Sequence, residues 1–234
     1  MIRMIFSENP YDRSIERLMT QIPNFKPRGG GLFFSKLKLT KQSCSCTLCP
    51  NYKKKTGCTV KHCPCIDERI TVGAASMREI LKELMLTVKE PHFQSRLQPY
   101  IYEKEFHPME FKNPKHRAVF YEAVRKSDRG DNALMSAIYL LTADHKLWNT
   151  AKRYVSRNDI RFDGLKPKTF TEESYTLFCC AKDLFLGTKH ITVSDLADKE
   201  LIAPKTFLLV CNAMSIRRYG VGAIRYDEKD GESK

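Results

Sequence analysis

From residue 77 onward, apolar stripes of helical spacing alternate with short polar breaks. Met77, Ile80, Leu81, Leu84, Met85 and Val88 recur at intervals of three and four and stop before Pro91, which predicts an amphipathic helix. Val119, Phe120, Ala123 and Val124 predict a second helix, Leu134, Ile138 and Leu141 a third, and Leu147, Trp148, Ala151 and Val155 a fourth. Arg129-Gly130-Asp131 and Thr142-Ala143-Asp144 punctuate them. Thr171 followed by Glu172 and Glu173 reads as an N-cap with acids in the first turn, and Gly187 as the stop. A short turn lies around Ser194–Ala197. The last helix has Pro204 near its start, turns Phe207, Leu208, Cys211 and Met214 inward, and ends before Gly220.

The first ninety residues are more mixed. Ile15, Leu18, Met19 and Ile22 give a helical pattern over 11–22, the run Pro27–Gly31 breaks it, and Leu32–Leu39 alternates like a half-buried strand. Four prolines (Pro91, Pro99, Pro108, Pro114) make 91–114 read as a turn-rich linker. The expected architecture is mainly α. It comprises an N-terminal α+β module over 1–90 stapled by zinc, the linker 91–114, an all-helical bundle over 115–226 and a disordered polar tail over 227–234.

The zinc expectation comes from six cysteines within 22 residues, Cys44, Cys46, Cys49, Cys58, Cys63 and Cys65, spaced C-x-C-x2-C-x8-C-x3-H-C-x-C with His62 among them. So short a segment with so few apolar side chains cannot hold one shape by burial. Tetrahedral Zn2+ bound by thiolates suits it: Cys46-x2-Cys49 offers two sulfurs from a tight turn, and Cys58 with Cys63 or Cys65 completes four. Two zincs sharing bridging thiolates is the less favoured alternative. Disulfides and a redox or iron–sulfur site are the rival readings. His62 reads as a solvent-facing neighbour rather than a ligand. Cys179, Cys180 and Cys211 sit in apolar stripes and read as buried small hydrophobes.

Charge adds a second theme. The 234 residues carry 40 Lys+Arg against 27 Asp+Glu, a formal +13. Residues 1–66 hold twelve of the bases and three acids, a local +9. Such an excess reads as a surface for an anionic partner or as plain solubilising charge, and it excludes action by imitating DNA. Lys53, Lys54 and Lys55 in the module, and Arg217 and Arg218 in the last helical turn, are the candidate contact residues. Phe33, Phe34 and Tyr52 are candidate stacking groups for nucleic acid.

Catalytic signatures are missing from the sequence. Gly29-Gly30-Gly31 lacks the Lys-Ser/Thr of a phosphate loop, and no His-Glu-x-x-His or nucleophile elbow occurs. His107, Glu110 and His145 lack recognisable partners, and His145 reads as a surface or capping residue. The expectation is a non-enzyme. No apolar run approaches the ~18 residues of a membrane span, and the N-terminus lacks a secretory signal, so a cytoplasmic location is expected.

Cys46-Thr47-Leu48-Cys49, Gly57-Cys58 and Cys63-Pro64-Cys65-Ile66-Asp67 together resemble a motif of small cysteine-rich proteins from Gram-positive mobile genetic elements. Residues 115–220, with the runs Ala137–Asp144 and Ile216–Gly220, resemble an uncharacterised all-helical family from the same genomes. A looser resemblance, by source and metal content, is to zinc-containing anti-CRISPR proteins that act on type II effector nucleases. These resemblances imply an interaction protein that binds a host protein, most concretely a type II CRISPR effector. The alternative is a basic, zinc-containing nucleic-acid-binding regulator of a mobile element.

Overall fold

The stripes between 77 and 219 become helices, and their ends follow local chemistry. The computed structural model describes residues 39–55, 57–166 and 170–224, together with Leu18 and Pro23. The chain divides into Met1–Thr40 and Lys41–Lys234. The predicted helix over 11–22, the Pro27–Gly31 break, the strand over 32–39 with Phe33 and Phe34, and the tail over 227–234 lie outside the described residues, apart from single positions at their edges.

In the second unit the elements run β1 (Tyr52–Lys53), β2 (Gly57–Cys58), α1 (Ile66–Thr71), α2 (Met77–Thr87), α3 (Pro91–Tyr102), α4 (Pro114–Lys126), α5 (Asn132–Thr142), α6 (His145–Ala151), α7 (Glu172–Leu186), α8 (Val193–Ala197) and α9 (Pro204–Tyr219). The described residues are thus mainly helical, with one small two-stranded antiparallel sheet. No described helix is long and apolar enough to cross a membrane.

Ser76 and Glu79 form a reciprocal capping box at the start of α2. Thr171 accepts from the Ser174 N–H at the start of α7, and Gly187 ends that helix at φ 71°, a left-handed conformation that suits glycine. α6 is shorter than its apolar stripe implies. It tightens into a 3-10 turn over Lys152–Tyr154, and Val155 then bridges to Ile160.

The largest departure from expectation is α3, which occupies the first half of the presumed linker. Pro91 sits at the first helical position, where its missing N–H costs nothing. The Glu90 carboxylate caps the Phe93 N–H. Phe93, Leu97 and Ile101 then form a buried i, i+4, i+8 stripe. Pro99 removes one internal hydrogen bond, and the helix ends three residues later. Four prolines suggested turns; two of them, Pro91 and Pro114, open helices. The chain divides near residue 40, and α3 packs on α2 and α8 as part of the helical body.

α5 and α9 form the centre. Every residue from Leu134 to Thr142 is buried, as are Thr206–Ala213, Ser215 and Ile216. α5 packs chiefly against α7 and α9, and α9 also meets α2 and α7. Each fully buried Leu or Phe here contributes on the order of 1.5–3 kcal/mol. A second, smaller cluster of Ile66, Ile70, Ala75, Ile80 and Ala223 joins α1, α2 and the 3-10 turn Val221–Ile224, with Cys63 and Tyr219 packed against it. That cluster is the base on which the cysteine segment stands.

Candidate functional site

None of the described residues between 41 and 65 is buried. The segment is held by turns and a hairpin. Cys46–Leu48 is a single 3-10 turn capped by Ser45, and the Cys49 N–H returns to the Cys46 carbonyl at 3.0 Å, so the Cys46-x2-Cys49 pair brackets the predicted tight knuckle. The Tyr52 N–H donates to the Cys49 carbonyl at 3.1 Å and leads into β1. β1 and β2 pair Tyr52 with Cys58 and Lys53 with Gly57, and Gly57 takes φ 75° at the return of the hairpin. Lys53, Lys54 and Lys55 project from this ribbon, all exposed.

All nine cysteines are free of disulfides. Burial pushes the Cys46 thiol up, partly offset by Arg69 and reinforced by Cys63 and Cys58. Cys65 is raised in the same sense, by desolvation and then by Cys63, Glu68, Cys49 and Cys44. The six thiols therefore share one electrostatic neighbourhood. Among the described residues, however, no group of three or more His, Cys, Asp and Glu side chains is placed to hold a metal ion. Cys46, Cys49, Cys58, Cys63 and Cys65 lie in one module without converging on a common point.

Three charged residues outside the predicted site organise the base of this module: Glu83 ties it to the helical body, and Arg69 with Glu79 joins α1 to α2 beneath it. Glu83, buried on α2, accepts the Cys63 N–H at 2.8 Å through Oε1 and meets His62 Nδ1 at 2.9 Å through Oε2. His62 is otherwise solvent-facing, as expected, with its side chain 58% exposed. Arg69, buried on α1, forks onto Glu79 at 2.7 and 3.0 Å and reaches the Ala74 carbonyl at 3.2 Å. Glu79 also accepts from Ser76, so although burial opposes its ionisation, the Arg69 and Ser76 hydrogen bonds hold its carboxyl below the usual range. Arg69 Nε is buried with no partner among the described residues, on a guanidinium that feels both Cys63 and Cys46. Its orphan N–H suits a sulfur acceptor in donor type. The signal for Arg69 and Glu83 was present: Ile66/Arg69/Ile70 and Ile80/Glu83/Leu84 place a charge inside an apolar stripe.

Arg217 and Arg218 serve the fold. Arg217 Nε donates to the Leu184 carbonyl at 3.1 Å, and Arg218 reaches Thr87 Oγ1 at 2.5 Å while lying over the Tyr219 ring. Two more arginines collect carbonyls. Arg78 gathers those of Tyr100, Ile101, Glu103 and Phe106. The buried Arg96 gathers those of Leu196, Asp198 and Ile202 and stacks over Phe207.

Cys179, Cys180 and Cys211 are buried in the core, and burial pushes their thiols up, away from reactivity. His145 is exposed beside Asn149, with Asp144 as the cap of α6. The buried histidine is another one, His116. Its Nδ1 accepts the Lys112 N–H at 3.1 Å and its Nε2 donates to the Tyr139 carbonyl at 2.9 Å. Burial drives its pKa down to about 4, so the ring is neutral. The Tyr139 hydroxyl donates to the Glu110 carbonyl at 2.5 Å, and Asn212 Nδ2 donates to the Met109 carbonyl and to Tyr139 Oη. This network secures the loop after α3 against α5 and α9 without exposing a reactive group.

No protein-family model, curated protein or solved structure matches the chain.

Proposed function

We propose that the chain is a binding protein, not an enzyme, whose cysteine segment is organised by a structural Zn2+ and displayed on a rigid helical body. The observation that carries this reading is a segment with six thiols and no buried residue, anchored to the body at Cys63 by the buried Glu83. Such a segment needs a shape-holding device other than a core. Thiolate zinc supplies one, with its binding free energy acting as folding free energy for the segment. Cys46, Cys49 and Cys58 with Cys63 or Cys65 would hold the ion, whose bound thiolates would fix the shape of the segment. Arg69 and the three lysines offset the charge of the thiolates.

The resemblance to mobile-element proteins directs the choice of partner to a host protein, with a type II CRISPR effector nuclease as its most concrete form. The test has two arms. Metal analysis of purified protein with a Cys-to-Ser series at the six positions should give about one zinc per chain, lost with Cys46 or Cys49; metal-free protein with intact structure overturns the zinc. Pull-down and cleavage assays with the effector, with and without guide RNA, should show capture and inhibition; neither occurring overturns the partner. The second reading, nucleic-acid binding by the module, is favoured by the exposed lysines of the hairpin and tested by salt-dependent affinity that falls in the Lys53/Lys54/Lys55→Glu variant.

A further inference from the structure

A second surface, remote in sequence from the cysteines, combines an aromatic floor with exposed cations. A groove of about 340 Å³ runs between α4 and the segment that follows α6. Val119, Trp148 and Val155 contribute apolar lining, and Lys126, Lys152 and Arg157 line it as exposed cations. A small continuation shares Val119 and Trp148 and adds Lys115. Its supporting segments are strongly biased. Residues 145–157 hold Lys146, Lys152, Arg153 and Arg157 with no acid, and α4 holds four bases against Glu122 alone.

Part of that bias is consumed internally, since Arg117 and Arg125 bond to Tyr121, but Lys152 and Arg157 have no carboxylate bonded to them among the described residues. Arg69, Arg78, Arg96, Arg217 and Arg218 all bond to the chain's own carboxylates, carbonyls or hydroxyls. In the groove, Glu122 pairs with Lys126 at 2.7 Å and is also within the field of Arg125 and Lys152. One carboxylate therefore serves several cations. Among the described residues, Lys152 bonds only the Asn149 amide oxygen, at 3.2 Å, and the Arg157 guanidinium makes no hydrogen bond or ion pair.

We propose that this groove binds single-stranded nucleic acid, with phosphates on Lys126, Lys152 and Arg157 and a base against Trp148. Cations flanking an aromatic platform suit a strand whose bases are free to stack. A duplex keeps its bases paired and cannot offer one to the indole. An acidic protein face would match the charge but has no particular use for the ring. The proposal is independent of the zinc module.

Trp148 is the only tryptophan in the chain, so its emission reports on the groove alone. Titration of the full chain with an unlabelled oligothymidylate of about 12 nucleotides should quench that emission. Anisotropy of the labelled strand should give an affinity that weakens about 20-fold between 50 and 200 mM KCl, as expected for about three phosphate contacts to a single strand. The double variant Lys152→Glu/Arg157→Glu alters exposed side chains only. It should weaken binding at least tenfold at unchanged helicity, whereas Lys53/Lys54/Lys55→Glu should retain groove binding and its quench. Absence of binding at 20 mM KCl overturns the proposal, as does binding that leaves Trp148 emission unchanged. Loss of binding in the hairpin variant rather than the groove variant overturns it in favour of the cysteine module. Equal competition by polyglutamate at matched charge overturns it in favour of an acidic protein partner.

Discussion

Residues 41–65 and residues 66–224 are built on opposite principles. The helical body buries nearly all of α5 and most of α9, and its stability is spread over many contacts. The cysteine segment buries none of its described residues and touches the body at a few named points: Cys63 and His62 on Glu83, and Cys63 against the Ile66/Ile70/Ile80 cluster. Burial is non-directional and tolerant of local loss, whereas a tethered segment depends on individual bonds. Damage to the body should therefore be global, and damage at the tether local.

The largest effect is expected at the junction of α3 and α9. Phe207 lies edge-on to Phe93 with ring centroids 5.3 Å apart, under the Arg96 guanidinium. Phe207→Ala should cost about 3–5 kcal/mol, measured as a lowered midpoint in urea followed by circular dichroism. Added zinc should not restore it, and rescue by zinc would mean that the two regions form one cooperative unit.

Acid should act next, again on the body. The His116 pKa is about 4 in the folded chain against an ordinary 6.5. The unfolded chain therefore takes up the proton first. Stability is fully present above about pH 6.5 and declines as pH falls through this window, by about 3 kcal/mol at its lower end. Urea midpoints at pH 7 and pH 4.5 should diverge more for the parent chain than for His116→Gln; parallel shifts in both would assign the acid sensitivity to carboxylates instead.

At the tether, Glu83→Ala leaves the Cys63 N–H and His62 without their acceptor and should cost about 1–3 kcal/mol. The loss should show as faster hydrogen exchange and proteolysis over 58–66, with exchange in α5 unchanged. Chelation should mimic this pattern if zinc holds the segment. Uniform acceleration across the chain would instead show that the two regions open together. Lys54→Ala, exposed on the hairpin, marks the lower bound and should stay within about 0.5 kcal/mol of the parent.

Much of the helical body could be read in advance, because a 3.6-residue period places apolar residues on one face whatever the partner. Met77–Leu84, the Thr171 cap and the Gly187 stop all follow from rules that act within a few residues. α3 was hidden because Pro91 sits where a helix tolerates it while Pro99 lies in the interior, its lost hydrogen bond offset by the burial of Phe93, Leu97 and Ile101; position within an element is not visible from composition. Of the site, the cysteine spacing and the tight Cys46–Cys49 turn were legible, while the partners of that segment were not. Glu83 lies 20 residues from Cys63, and Arg96 lies 100 residues from the Leu196 carbonyl it binds. A charge inside an apolar stripe announces that a partner exists without saying which one.

Taken alone, then, the amino-acid order determined the helices from 77 onward other than α3, the cysteine-rich segment and the basic excess, since each depends on neighbours within a turn or two. Tertiary structure decided which cations bond to the packed helices and which are left lining a groove. Arg217 and Arg218 were absorbed by Leu184 and Thr87, and Lys152 and Arg157 were left flanking Trp148. The reason is physical: a charged side chain's role depends on which carbonyls and carboxylates the packed helices bring within hydrogen-bond distance, and that proximity does not exist until the core has closed.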